Sequence, residues 1–300
     1  MTTYTMALER YDRHVPFFTG AITPPAGIEI EPLEVGIDLT HRDGRDRHER
    51  MLRRNEFDIC ELSFSSYIMA VDRGADLTAT PVFPRRLFSQ NHIYVRADSG
   101  IQKVDDLKTK QVIMGSTGKG SQTFLMPSLV NGVLGAKFKI VSGYKGSRKA
   151  QLAMEQNEVQ GVALTWLSWK SAKEKWFTDG FAMPVVQIGV TKEQDLPNVP
   201  MLADLVTGEN KQIVNFMATM GPLGRGLTVP KGTPQDRVDF LRAAFAKTVA
   251  DPNFVVNAEK RKLRVKAATG LELQKIVNDS LKVSDETVKR ARALIFGKSS

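Results

Sequence analysis

The chain has 300 residues, more than one hydrophobic core usually takes, so two domains or two lobes are expected. It is 42% hydrophobic and 25% charged, an ordinary globular composition, and no apolar run approaches the ~18–20 residues of a bilayer span. The formal net charge of +9 raises nucleic acid as a partner, but the excess is scattered over amphipathic segments such as Lys170 to Lys175 and Lys260 to Lys266. Those segments lack the aromatic interleaving of a base-stacking surface, so no nucleic-acid partner is expected.

The charge is divided unevenly. Residues 1–100 hold 12 Arg, no Lys and 15 acids, a net of −3; residues 101–300 hold 22 Lys, 8 Arg and 18 acids, a net of +12. All four histidines, His14, His41, His48 and His92, also fall in the first part. The single cysteine, Cys60, excludes an internal disulfide and a Cys-based zinc site, and its apolar surroundings predict a buried, inert thiol. His41 and His48 stand seven apart without a matched carboxylate, so no metal and no cofactor are expected. The first ten residues have neither a basic nor a long apolar stretch. As written, the chain therefore reads as cytoplasmic, or as periplasmic if a leader was removed.

In chain order, Tyr4 to Leu8 predicts a strand, followed by the polar loop Glu9 to His14. Pro24 to Gly27 is a turn, Ile28 to Val35 alternates as a half-buried strand, and Arg42 to Asn55 reads as a charged helix. Phe57 to Leu62 is a strand, and Ser63 to Ser66 supplies N-cap residue types for a helix running to about Arg73. Thr78 to Phe83 and His92 to Val95 are further strands. Val104 to Leu107 reads as a short helix. Strand Gln111 to Met114, a glycine-rich turn, helix Gln122 to Leu134, strand Phe138 to Val141, a second such turn, helix Arg148 to Asn157 and strand Gly161 to Thr165 then follow. Val185 to Val190, Asn215 to Thr219 and Gly226 to Val229 are predicted strands; Arg237 to Ala250, Pro252 to Lys262 and Leu271 to Leu294 are predicted helices. Such alternation indicates mostly parallel, helix-covered sheets.

The segment Gly115-Ser-Thr-Gly-Lys-Gly-Ser121 follows a strand and opens a helix, but Gly118-Lys119 is followed by Gly120, so it is not a Walker A loop. What survives is a general anion site. Unpaired N–H groups at a helix N-terminus join the hydroxyls of Ser116, Thr117 and Ser121, and Gly118 allows close approach. A second turn of this kind is Tyr144-Lys-Gly-Ser147, with Tyr144, Gly146 and Ser147 as candidates. Two such turns on one open sheet converge on its carboxyl edge, where α/β proteins hold ligands. Both also read as plain glycine-rich connections. In the first hundred residues Ser65, Ser66 and Tyr67 begin a helix, and Arg10, Arg13, Arg85 and Arg86 are candidates to grip a carboxylate. Trp166, with Trp169, lines the pocket or belongs to the core.

From Asp105 to about Gly297 the chain resembles the solute receptors of tripartite tricarboxylate transporters. The matching segments are Val112 to Gly118, Phe138 to Ser147, Leu152 to Glu155 with Val159 to Gly161, Asp195-Leu-Pro-Asn-Val-Pro200, Val229-Pro-Lys-Gly-Thr-Pro234 and Asp251-Pro-Asn-Phe254. Residues 1 to about 100 instead resemble the 4,5-dihydroxyphthalate decarboxylases, through Arg10 to His14, Pro25 to Gly27, Arg50 to Asp58, Glu61 to Tyr67, Pro81 to Arg86 and Tyr94 to Arg96. The seam falls at Gly100 to Leu107, where the Arg/Lys usage changes, so the chain reads as a mosaic of two related types.

These resemblances imply an α/β, type II periplasmic-binding-protein-like fold with two open, mostly parallel sheets and a hinge. Its expected lobes are residues 1–97 plus 193–300 and residues 98–192. The implied function is a monomeric solute-binding protein clamping a small organic carboxylate, with membrane transporter subunits as partners. The alternative is a cofactor-independent decarboxylase of a dihydroxylated aromatic dicarboxylate, with His14 or Tyr11 as proton donor and Arg13, Arg85 or Arg86 anchoring the second carboxylate.

Overall fold

The computed structural model describes residues 2–11, 14–21, 23–24, 26–35, 47–85, 91–219, 221, 223–260, 265, 267–280 and 282–297; the side chains of 64–66, 69, 81–85, 171, 225 and 280 are outside that description. Its elements in chain order are β1 (Thr2–Leu8), α1 (Val15–Phe18), β2 (Ile28–Glu34), α2 (Arg47–Arg54), β3 (Ile59–Ser63), α3 (Phe64–Asp72) and β4 (Leu77–Arg85). Then come β5 (His92–Arg96), α4 (Asp106–Thr109), β6 (Gln111–Ser116), α5 (Gln122–Leu134), β7 (Lys137–Ser142), α6 (Ser147–Glu155), β8 (Gly161–Leu164), α7 (Trp166–Lys173), α8 (Lys175–Thr178) and β9 (Ala182–Val186). The chain closes with α9 (Gly208–Thr219), β10 (Arg225–Pro230), α10 (Gln235–Ala250), α11 (Pro252–Lys260), α12 (Gly270–Ser280) and α13 (Asp285–Phe296).

The chain forms two compact units, residues 1–86 with 223–277, and residues 87–222 with 278–300. Each holds one five-stranded sheet, ordered β2-β1-β3-β10-β4 in the first and β7-β6-β8-β5-β9 in the second. The two orders share one logic. Three strands run parallel, and a fourth, β10 or β5, lies antiparallel beside the third. Each sheet is thus mixed, and in each the chain turns first to one side of the opening strand and then to the other. That reversal is the switch point where α/β sheets place ligands, outside the carboxyl ends of the strands.

Strand parity explains the layers of the second unit. Ile93, Val95, Val112, Met114 and Ala163 share one core with Met126, Leu129 and Val130 of α5, Ile213 and Val214 of α9, and Ala291 and Ile295 of α13. The alternate residues Tyr94, Val162 and Leu164 face a second core with Ala150, Ala153 and Met154 of α6 and Trp169 of α7. Successive strand residues point to opposite faces, so one sheet buries both. Gly161 is required where β8 crosses β5, because a Cβ there would lie 2.6 Å from both the Tyr94 carbonyl oxygen and the Met114 sulfur. In the first unit Met6, Leu8, Ile59, Leu227 and Val229 pack under Val238 of α10, while Ala7, Cys60 and Leu62 face Met51 of α2.

Two expectations are corrected. Asn215 to Thr219 is the last part of helix α9 rather than a strand, and the single helix expected from Leu271 to Leu294 is two helices, α12 and α13. Ser284 stops the run there, since its hydroxyl accepts the Thr287 N–H at 3.2 Å and caps α13. The short apolar stretch Phe216-Met-Ala fits either period, and burial of Ile213, Val214 and Ala218 on one helical face decides it. Around the lobe boundaries expected at 97 and 193, β5 pairs with β8 and β9 in the second sheet, and α9 and α13 pack against α5 in that same unit. Cys60 is buried.

Candidate functional site

In the second unit three neighbouring parallel strands end side by side, with Ser116 paired to Ser142 and Gly115 to Val162. Each end runs into a turn and a helix: β6 into α5, β7 into α6, β8 into α7. The first two turns are joined directly, because the Ser116 carbonyl accepts the N–H groups of Gly143 and Tyr144 at 3.1 and 3.3 Å. The Tyr144 ring lies over Gly115, where a Cβ would come within 3.5 Å of it. Ser116, Thr117, Gly118, Ser121, Tyr144, Gly146, Ser147 and Trp166 are therefore all on one sheet edge.

Inside the first turn the chemistry differs from the expected row of unpaired amides. The Thr117 N–H donates to the Thr123 hydroxyl at 3.0 Å, and the Gly118 N–H donates to the Ser116 hydroxyl at 3.2 Å. Thr123 Oγ1 also contacts the hydroxyls of Ser116, Thr117 and Ser121 at 3.2, 3.2 and 2.6 Å. A buried polar group without a partner costs about 1–3 kcal/mol, so the turn satisfies its own amides with neighbouring hydroxyls. The amides of Gln122 and Thr123 opening α5, and of Ser147 and Arg148 opening α6, make no hydrogen bond among the described residues. Gly146 reaches the start of α6 at φ +88°, a backbone state that favours glycine. The result is a set of rotatable hydroxyls beside four helix-start N–H groups, suited to an anion. Thr123 was not legible as a member; its only signal is a hydroxyl at the second position of a helix.

The third turn adds Trp166. Its ring stacks on Tyr94 at 6.4 Å and meets Phe177 edge-on at 5.0 Å, and its indole N–H donates to Asp195 Oδ2 at 2.7 Å. Lys170, one helical turn on, donates to the same oxygen at 2.9 Å. Trp169 is fully buried against Tyr94 and is core. Burial, followed by the charge of Glu193, pushes the Tyr94 phenol well above its usual pKa, so Tyr94 stays protonated. Burial and the Glu158 carboxylate, which accepts from the Tyr144 hydroxyl at 3.4 Å, raise Tyr144 as well.

In the first unit the carboxyl ends of β1 and β3 carry a buried charge network that sequence reasoning missed. Arg47 lies 1% exposed, with Nη2 2.9 Å from Glu61 Oε2 and Nη1 3.0 Å from Glu9 Oε2. Its Nε donates to the Glu61 carbonyl at 3.0 Å. Burial opposes the guanidinium charge, but Glu61 and then Glu9 outweigh it and hold the Arg47 pKa above its ordinary value. His14 is 1% exposed; Nδ1 is 2.7 Å from the Glu9 carbonyl oxygen and Nε2 is 3.4 Å from Glu61 Oε1. Both ring nitrogens thus face protein oxygens rather than open space. Tyr11 lies against the His14 ring at 5.9 Å, and Arg10 pairs with Glu34 at 3.7 Å on the surface. Tyr67 is half-buried and packs against two apolar clusters, one holding Leu62 and the other Leu223. Arg13 and Arg86 lie outside the described residues, as do the side chains of Ser65, Ser66 and Arg85; Ser65 and Ser66 stand in the first turn of α3. Among the described residues no group of His, Cys, Asp or Glu is arranged to hold a metal, and no helix is long and apolar enough to cross a membrane.

Two five-stranded sheets of this strand order define the type II periplasmic-binding-protein fold. Solved structures of the same fold include a TctC solute-binding protein from Polaromonas, at TM-score 0.63 and 17% identity over 98% of this chain and 97% of that one. Another is an R. palustris protein with adipate, at TM-score 0.61 and 13% identity over 97% of both. MatC from Rhodopseudomonas palustris with bound malate aligns at TM-score 0.53 and 14% identity, over 98% of both chains. Residues 31–234 match the family model described as ABC transporter, phosphonate, periplasmic substrate-binding protein, and the chain belongs to that family. Its curated relatives include 4,5-dihydroxyphthalate decarboxylases of Comamonas testosteroni, 36% identical over 109 residues, and of Pseudomonas putida, 39% identical over 94. Those matches take in 36% and 28% of this chain, but only 31% and 36% of the two enzymes.

Proposed function

We propose that this solute-binding protein takes a small organic carboxylate at the carboxyl edge of its second sheet. The observation that carries the reading is the junction of the β6 and β7 turns through the Ser116 carbonyl, which gathers four hydroxyls and four helix-start amides on one edge. An anion there accepts several hydrogen bonds and lies at the positive ends of two helices. Fold neighbours whose structures hold adipate and malate support this ligand class over a phosphonate. A few charge-assisted hydrogen bonds at ~1.5–3 kcal/mol each, less the cost of ordering, correspond to micromolar affinity.

Calorimetry with malate, adipate and methylphosphonate tests this. A dicarboxylate is expected to bind, and Thr123→Val, which removes the shared hydroxyl without changing side-chain size, is expected to weaken it by about tenfold. Tighter binding of the phosphonate, or no heat with any of the three, would overturn the assignment.

The decarboxylase-named relatives favour a second reading, in which the chain releases CO₂ from 4,5-dihydroxyphthalate with His14 as proton donor. The burial of His14 against Glu9 and Glu61 counts against that role. The mosaic origin, a decarboxylase-type first hundred residues on a receptor-type remainder, is part of the proposal: it predicts carboxylate binding without CO₂ release.

A further inference from the structure

The Asp195-Leu-Pro-Asn-Val-Pro200 segment presents its first carboxylate to α7 in the manner of a ligand. One oxygen, Asp195 Oδ2, accepts the Trp166 indole N–H at 2.7 Å and the Lys170 ammonium at 2.9 Å. Trp166 is the first residue of α7, which opens from β8, the strand beside β6 and its Ser116 turn. Its ring is fixed between Tyr94 and Phe177, so the N–H direction is preset. Lys170 at i+4 presents its charge on the same helix face. A preset neutral donor with an adjacent ammonium is a carboxylate receptor, and it stands on the ligand edge.

Resting on the carboxylate reading above, we propose that Trp166 and Lys170 recognise one carboxylate of the ligand, and that Asp195 occupies their place as an internal competitor until the ligand displaces it. The loop backbone stays anchored on both sides of Asp195, so displacement needs only a rotation of the Asp195 side chain. Its anchor is the fully buried Gln187, whose Nε2 donates to the Leu196 and Val199 carbonyls at 2.8 and 2.9 Å and whose Oε1 accepts the Glu193 N–H at 2.9 Å. The Gln187 backbone holds the far end through Pro200 and Leu202, each at 2.8 Å. Asp195 and Lys170 are themselves 47% and 48% exposed, so the exchange disturbs no core. Trp166 and Lys170 thereby select for a carboxylate over an uncharged solute, and Asp195 sets the affinity.

The test is calorimetry with malate and adipate on the parent chain, Asp195→Ala, Asp195→Asn and Lys170→Met/Asp195→Ala, with the Trp166 indole N–H followed by NMR. Removing the competitor is expected to tighten binding by about tenfold, as for a site that is open one time in ten. The double variant loses that gain, and saturating ligand moves the Trp166 indole resonance. Asp195→Asn keeps the loop's shape, so a gain in both single variants is not a folding effect. Heat in the parent with unchanged or weaker affinity in both single variants, or with an unmoved indole resonance, overturns the proposal and leaves the carboxylate reading standing. Heat in no variant sinks both.

Discussion

Arg47→Met is expected to cost roughly 3–5 kcal/mol of unfolding free energy, the largest effect of any single exchange considered for this chain. The guanidinium is 1% exposed and is the cation between Glu61, itself fully buried, and Glu9. The fully buried Glu61 carboxylate and the half-buried Glu9 carboxylate would then lose the cation they share. The stability of an ion network is not the sum of its pairs, since desolvation opposes each charge. Breaking one partner is costly because it strands the others, whereas replacing the set by apolar groups of similar size is often neutral. Arg47→Met/Glu61→Leu is therefore expected to recover part of the loss, and urea unfolding of the three proteins measures both steps. If Arg47→Met unfolds within about 1 kcal/mol of the parent, the network does not hold the β1–α1 loop in the way its distances indicate.

Acidification between about pH 6.5 and pH 4 is expected to remove about 3 kcal/mol through His92 alone. Burial lowers the His92 pKa to about 4, from an ordinary 6.5. Above pH 6.5 the imidazole is neutral in both folded and unfolded chains and adds no pH dependence. Between the two values the unfolded chain takes up a proton that the folded chain refuses, so stability falls as pH falls; below about pH 4 the loss is complete. The structure shows what protonation breaks. Nδ1 accepts the Ile188 N–H at 2.9 Å, and a protonated Nδ1 has no lone pair for it. His92→Asn keeps an acceptor near that position and cannot titrate, so its stability is expected to fall less steeply than the parent's over this range. Unfolding curves at pH 7.0, 5.5 and 4.5 compare the slopes, and equal slopes would show that His92 is not the group responsible.

Both predictions concern residues whose roles the sequence did not announce. Arg47 lay in a stretch read as a charged helix, and His92 in an ordinary strand. Composition and period cannot tell a surface arginine from one carried under a sheet edge by the turn of α2. Within the second unit the strand, glycine turn and helix units at residues 111–165 were legible because each depends on local chemistry: apolar strand residues, a glycine free to adopt positive φ, and hydroxyl N-cap types. Thr123, Lys170 and Asp195 were not, because their partners lie six, twenty-five and twenty-nine residues away in sequence or across a turn.

The sequence by itself determined the α/β class, the two-lobed size and the glycine turns between strand and helix, since these follow from residue type and spacing along a short stretch. Only the tertiary structure decided that β10 and β5 insert antiparallel beside the third strand of each sheet, that the Thr117 and Gly118 amides are satisfied by the Thr123 and Ser116 hydroxyls, and that Asp195 sits on Trp166 and Lys170. Those outcomes depend on which distant segments share a layer. Burying both faces of a sheet selects such neighbours by volume and hydrogen-bond satisfaction together, and no local window of the chain records that selection.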